Sequence, residues 1–257
     1  IIVEQNNGNL WATGEIETSI IPLAFPKGFS SFWCMKYEIT QEQYVDFLNT
    51  LTRSQQNTRT ATDINGTIIT NRYVMSNTPN LLYRNGIRCN TALPSAPEPV
   101  TFYCDLNANG IYNELDDGQN IACNFLSWAD CAAYSDWAGL KPMTELEFEK
   151  ACRGPVYPVQ NENAWGTTAL ISGTAISNSG TLTEITTPAN ANCITGNCIN
   201  GPARVGNFAR ENSTRVSSGS SYYGILELSG NVTERCITIR NTTGRCFTGL
   251  LGDGTLN

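Results

Sequence analysis

The chain is 257 residues long, 40% hydrophobic, and carries a formal charge of −7, so it holds enough apolar material for one large core and nothing that demands a second domain. Its Lys and Arg residues form no cluster, which excludes the phosphate-neutralising surface of a nucleic-acid binder, and no apolar run approaches the roughly 20 residues of a membrane span. The absence of histidine removes Ser-His-Asp and Cys-His catalysis, the usual near-neutral acid or base, and imidazole-bound zinc or iron.

The sequence opens Ile1-Ile2, with neither Met nor a signal-peptide pattern, and reads as a processed or truncated product. Residues 1–28 read as an edge strand, a linker or the tail of a preceding domain. Phe32 to Ile39 alternates aromatic and polar residues, which predicts a strand. Thr40 then caps a helix, Gln43 completes a capping box, and Tyr44, Val45, Phe47, Leu48 and Leu51 form the apolar face. Residues 52–124, rich in Thr, Asn and Pro, read as an irregular insertion. Ser127 with Asp130 opens a second helix that stops at Gly139, and Thr144 with Glu147 opens a third that stops at Gly154-Pro155. A second polar stretch, 167–201, follows Ala164-Trp165-Gly166. Irregular segments of this length are uncommon unless functional or cross-linked.

Cys104 to Asp117, CDLNANGIYNELDD, matches a calcium-loop pattern, with Asp105, Asn107 and Asn109 at positions one, three and five, Gly110 at six and Asp116 at twelve. Calcium takes about six to eight oxygens, and short side chains alternating around a Gly turn let one loop provide them. An Asx-rich solvated turn would give the same string, since no helix clearly precedes it and position twelve is Asp, not Glu. Glu145, Glu147 and Glu149 are spaced two apart, so they do not face one another on a helix; acids in the first turn complement the helix dipole. The five tryptophans, Trp11, Trp33, Trp128, Trp137 and Trp165, read as packing residues more readily than as a sugar platform.

Ten cysteines in a low-Lys chain fit an oxidising compartment and predict disulfides; short separations suggest Cys193 with Cys198, Cys236 with Cys246, and Cys89 with Cys104. The alternative is free thiols packed as small hydrophobes, above all at Cys34, Cys123, Cys131 and Cys152. Glycosylation triplets begin at Asn65, Asn212, Asn231 and Asn241.

Three segments carry a family likeness: FWCMKYEITQEQYVDFLN (Phe32 to Asn49), LSWADCAAYSDWAGLKPMTELEFEKACRG (Leu126 to Gly154) and YGILELSGNVTERC (Tyr223 to Cys236). In this order they resemble the signature blocks of the formylglycine-generating enzyme family, also called the sulfatase-modifying-factor domain. The resemblance covers Phe29 to Cys236 and implies an α+β, modified C-type-lectin-like fold rich in ordered loop. It makes 29–257 the family domain, with insertions at 52–124 and 167–201, and leaves 1–28 as an N-terminal strand or linker.

In the family, the turn matching Ser229 to Glu234 binds calcium, which carried over implicates Asn231, the Val232 carbonyl and Glu234. Thr233 and Arg235 stand where the family has Trp, and Arg235 could pair with Glu234, leaving a purely structural turn. The family's oxidase chemistry resembles a copper-thiolate reaction of two cysteines in a C-terminal segment that also holds GFRGGSW. This chain reaches Asn257 before any such segment, so the domain reads as incomplete at its C-terminus, with an open sheet edge. The resulting expectation is a non-catalytic bacterial surface member. It would be a secreted or cell-surface module for ligand binding or surface assembly, stabilised by disulfides and calcium. Its partner would be a protein or glycan ligand, or a second copy through the open edge. The alternatives are a sulfatase-activating oxidase whose catalytic cysteines lie beyond residue 257, and a structural filament or appendage subunit.

Overall fold

In the computed structural model, which describes residues 2–3 and 17–252, four helices start on the same device. A Ser or Thr side chain accepts from the backbone N–H three residues on. The Gln, Asp or Glu at that position accepts in return from the cap's own N–H, so two otherwise open donors are satisfied. These helices are α1 (Gln41–Asn49, cap Thr40), α2 (Arg53–Arg59, cap Thr52), α3 (Trp128–Trp137, cap Ser127) and α4 (Glu145–Arg153, cap Thr144). Three stand where the sequence predicts them. The fourth, α2, lies inside the supposed insertion and contains no apolar residue, so no hydrophobic period announces it. A short α5 (Thr242–Arg245) follows near the C-terminus.

The strands are shorter still. Antiparallel pairs join β1 (Ile2–Val3) to β2 (Ser19–Ile20), β3 (Ile87–Arg88) to β4 (Tyr103–Cys104), and β5 (Ala175–Ser177) to β6 (Ile185–Thr187). Short helices with few strands and much ordered loop make the architecture α+β. The strand expected over Phe32 to Ile39 does not form. That segment is shared between two neighbours that each offer a single bond: Cys123 donates to the Ile39 carbonyl (2.7 Å) and Leu226 to that of Lys36 (2.9 Å).

The main core is not confined to the three matched segments. Tyr44, Phe47 and Leu48 of α1 meet Tyr134 of α3, with Phe47 edge-on to Tyr134 at 5.7 Å. Ile64, Val74, Ile87, Val100 and Phe102, all from residues 52–124, complete the same cluster. Residues 52–124 thus form one wall of the core. Polar side chains hold that wall in place. Arg53 donates to the carbonyls of Ile64, Gly66, Pro94 and Glu98, while Gln56 donates to Val100 (2.8 Å) and accepts from the Val100 N–H (2.8 Å). Buried loop backbone needs such partners, since each unpaired group costs about 1–3 kcal/mol. Segment 167–201 is organised the same way around Glu184, which is fully buried. Glu184 pairs with Arg84 at 2.5 Å and accepts from the backbone N–H groups of Gly180 and Arg204.

The two ends of the described chain meet. Val3, Ile21 and Phe25 pack with Ile239 in a separate small core, and the Glu17 N–H donates to the Arg240 carbonyl at 3.1 Å.

The expected disulfides are a correction: all ten cysteines are free thiols. Cys89 and Cys104 miss each other by register. Ile87 stands opposite Cys104, so Cys89 is its diagonal neighbour, about 7–8 Å away, beyond the span a disulfide bridges. Cys193 is buried while Cys198 is exposed and donates to the Thr195 carbonyl. Cys246 caps the end of α5, exposed, while Cys236 is half-buried.

Trp33 is a second correction. It is 96% exposed, because the segment carrying it does not join a sheet that would cover it. Trp165 is buried and donates its indole N–H to Ala169, and Trp128 and Trp137 are half-covered at the edge of the core. Trp11 lies outside the described residues. Glu147 is the capping acid of α4 and pairs with Lys141 at 2.6 Å, Glu145 accepts from Ile239, and Glu149 pairs with Arg153, so all three acids of that helix have structural partners.

Candidate functional site

A cavity of about 550 Å³ opens between the segment before α1, the start of α3, the approach to α4 and the turn Ile225 to Arg235. Its wall is mostly apolar, with Met35, Leu126, Met143 and Leu228 among the lining residues. Trp33, Tyr37, Tyr83 and Phe125 line it as exposed or partly exposed aromatics. Into this apolar wall the chain sets two carboxyl groups, Glu38 and Glu234.

Glu38 precedes α1 and binds the turn. Its Oε2 accepts from the Asn231 side-chain amide (2.5 Å) and its Oε1 from the Val232 N–H (3.0 Å). The turn is tight: Asn231 adopts φ +62°, and Gly230 has no room for a side chain, since a Cβ there would stand 2.5 Å from the Ile194 carbonyl oxygen. Asn231 Oδ1 accepts from the Ala203 N–H at 2.7 Å. Glu234 lines the same cavity, and its Oε1 is buried with no partner among the described residues. A third acid, Glu227, accepts at Oε1 from the Gly206 N–H (2.7 Å), while its buried Oε2 has no partner among the described residues.

Glu38 feels both other glutamates, and Glu234 feels Glu227. Burial pushes Glu38 well above the usual carboxylate range, and the charges of Glu227 and Glu234 add to the effect. Burial raises Glu234 to about 8, with Glu227 contributing, and raises Glu227 to about 7 against the hydrogen bond from Gly206. Arg204 offsets part of the shift at Glu227, but no base on the cavity lining does the same for Glu38 or Glu234 among the described residues. Lys141 is committed to Glu147, and no ion pair joins the exposed Arg235 to Glu38 or Glu234 among the described residues.

The loop 105–117 is a second cluster of oxygens. Asn107 and Asn109 are exposed at its tip, each turning its side-chain oxygen onto a backbone N–H two residues on. Asn107 also donates to Asp116 (3.1 Å) and Asn109 to Glu114 (2.6 Å). Carboxylate oxygens of Glu114, Asp116 and Asp117 lie within 4.8 Å of one another. Asp105 is fully buried and paired with Arg88, not turned to the tip, while the Oδ1 atoms of Asp105 and of Asp117, also buried, have no partner among the described residues. Burial and the charges of Asp105 and Asp116 raise Asp117 above its ordinary pKa.

Of the residues singled out in the sequence, Asn107, Asn109 and Asp116 thus come together at one end of the loop, with Asp105 at its base. Asn231, Val232 and Glu234 come together on the cavity wall. Sequence reasoning missed Glu114 and Asp117, which flank the position-twelve residue. It also missed Glu38 and Glu227, whose only local signal is an acid within an apolar run.

Most of the thiols are quiet. Burial raises Cys89, Cys152 and Cys236 to about 12, and also raises Cys34, Cys104, Cys123, Cys131 and Cys193. A thiol held in that range supplies little thiolate near neutral pH.

Comparison with curated proteins and with solved structures finds no match. The profile of the family described as "Sulfatase-modifying factor enzyme 1-like domain" matches residues 15–249, which takes in the three signature segments, residues 52–124, the loop 105–117 and the cavity. The chain therefore belongs to the sulfatase-modifying factor enzyme 1-like family.

Proposed function

We propose that this chain is a non-catalytic ligand-binding module of its family, built on a C-type-lectin-type arrangement and working outside the cell, with the 550 Å³ cavity as its binding site. The cavity carries the reading. Its volume falls in the range of about 300–1,000 Å³ common to small-molecule sites, and a mostly apolar wall interrupted by a few polar groups is their usual composition. The raised thiols support a binding role over thiolate chemistry. Family membership alone does not decide between them.

The reading includes calcium as a structural ion on the loop 105–117. Glu114, Asp116 and Asp117 bring carboxylate oxygens together in the way a hard cation prefers, with Asn107 and Asn109 beside them at the tip, and the Oδ1 of Asp117, unpartnered among the described residues, is the group such an ion would satisfy; Asp105 stays with Arg88 at the base of the loop. When bound, the ion would supply positive charge among carboxylates that otherwise repel.

Saturation-transfer NMR with indole as a neutral probe tests the cavity. Reversible binding that is lost in Ile225→Trp, which fills the lining, is the expected result. Formation of an aldehyde on a cysteine-containing sulfatase peptide by this chain, with copper and oxygen supplied, would contradict the non-catalytic reading.

A further inference from the structure

Most non-glycine residues held at positive φ in this chain are Asn, whose short side chain tolerates that region. Aromatic side chains take it at two positions among the described residues, Tyr83 (φ +47°) and Phe125 (φ +64°), and a bulky residue there is strained. Tyr83 and Arg84 (φ +57°) are the central pair of a two-residue hairpin turn, closed by the Asn85 N–H on the Leu82 carbonyl at 3.1 Å. Positive φ at both positions of such a turn ordinarily selects Asn-Gly. Arg84 is accounted for, since from this turn it pairs with Glu184.

Core packing among the described residues does not account for the two rings. Neither joins a buried apolar cluster, each stays 40% exposed, and they meet one another at 6.1 Å on the lining of the cavity. Asn124 fixes the pair. Its amide donates to the Tyr83 carbonyl (2.9 Å) and its side-chain oxygen accepts from Asn85 (2.9 Å), which ties the turn to the segment carrying Phe125. Backbone strain of this kind clusters at ligand clamps, where it positions the side chains that do the binding. The surroundings then select the ligand. Met35 and Met143 line the same cavity, and thioethers pack favourably on aromatic rings. Polar side chains of the lining are already engaged: Asn124 with Tyr83 and Asn85, Lys141 with Glu147, Asn231 with Ala203 and Glu38. A sugar needs partners for its hydroxyls and finds few here, whereas a flat ring finds ring surface and sulfur.

We infer that Tyr83 and Phe125 form an aromatic platform for a small aromatic compound bound in the cavity, and that the strain at both positions is kept for this contact. The inference rests on the cavity being a binding site, and it adds the class of ligand and the two residues that select it.

Phenol, cyclohexanol and methyl glucoside, each titrated into the full chain and followed by saturation-transfer NMR, separate the two claims. Phenol and cyclohexanol share a size and a hydroxyl and differ in aromaticity. The expected result is phenol binding about two- to tenfold tighter than cyclohexanol, the range of one aromatic pair, with methyl glucoside weakest. Tyr83→Asn and Phe125→Asn suit positive φ, so each should hold or raise the thermal midpoint while erasing the preference for phenol. A midpoint lower by more than about 3 °C in either variant shows that ring to be packing and overturns the inference. A variant that keeps both the midpoint and the preference overturns it as well. Equal or tighter binding of cyclohexanol, or tightest binding of methyl glucoside, overturns the aromatic ligand and leaves the cavity as a binding site. Binding of none of the three overturns both claims.

Discussion

The buried charges around Glu184 and those around Glu234 obey different rules, although both sit in loop-rich surroundings. Glu184 is enclosed, paired with Arg84, and accepts from two backbone N–H groups; it ties residues 84, 180 and 204 into one knot. Glu234 is set in an apolar wall with an oxygen left over, and its neighbours are other acids. The first arrangement is a brace, complete within the chain. The second is incomplete within the chain, as expected of groups placed for a ligand. A buried charge is informative only together with an account of its partners.

Breaking the brace should have the largest effect. Arg84→Met leaves Glu184 buried without its base and should cost about 3–5 kcal/mol, read as a loss of roughly 10 °C in thermal midpoint. Glu234→Gln, by contrast, replaces a carboxyl whose ionised form has no counterpart, so in the empty protein it should stabilise, and only above the ordinary value of 4.5, where the unfolded chain gives up the proton that the folded chain keeps.

That dependence on pH sharpens the contrast. Glu227 and Glu234 titrate at about 7 and about 8 in the folded chain, against an ordinary value of 4.5. Below 4.5 both folded and unfolded chains hold these protons and there is no difference. Above it the unfolded chain releases them while the folded chain keeps them, so stability falls with rising pH until the folded groups ionise. Each pKa unit is worth about 1.4 kcal/mol. The wild-type midpoint should therefore drop by about 5 °C or more between roughly pH 5 and pH 8.5, and the Glu227→Gln, Glu234→Gln double variant should flatten the slope. A wild-type midpoint that rises over that interval would show these acids to be compensated.

The calcium loop should respond more modestly. After chelation, returning calcium in large excess over its dissociation constant should raise the midpoint by a few degrees, following the mass-action term of about 3 kcal/mol at a hundredfold excess. Asp117→Asn should lose most of the gain, whereas Asp63→Asn, outside the loop, should keep it. The smallest stability effect belongs to Trp33→Ala. This side chain is 96% exposed, so unfolding should shift by less than about 0.5 kcal/mol while indole binding in the cavity weakens.

What the sequence could show depended on how far apart the interacting groups are. The capping boxes at Thr40, Ser127 and Thr144 are three-residue signals and are legible directly. The same box at Thr52 went unread because α2 presents Arg53, Gln56 and Arg59 to the interior, and a helix buried through polar side chains has no apolar period. Cysteine spacing misled for a related reason. Cys89 and Cys104 share a pair of strands, but pairing is decided by register, and they stand on a diagonal. Residues 52–124 read as irregular because their apolar residues follow no sustained period among the Thr, Asn and Pro, yet Ile64, Val74, Ile87, Val100 and Phe102 reach the core of α1 and α3. The acid cluster is the least legible element, since Glu38 meets Glu227 and Glu234 only across nearly two hundred residues of intervening chain, and nothing local marks the encounter.

The most direct test of the central claim, that the cavity acids are uncompensated in the chain itself, is a pH titration of the ¹³C-labelled glutamate carboxyl signals. Resonances assigned through Glu227→Gln and Glu234→Gln should titrate near 7 and near 8. Titration of both near the ordinary 4.5 would mean that water or a partner within the protein already satisfies them, and the distinction between the brace and the binding site would fail.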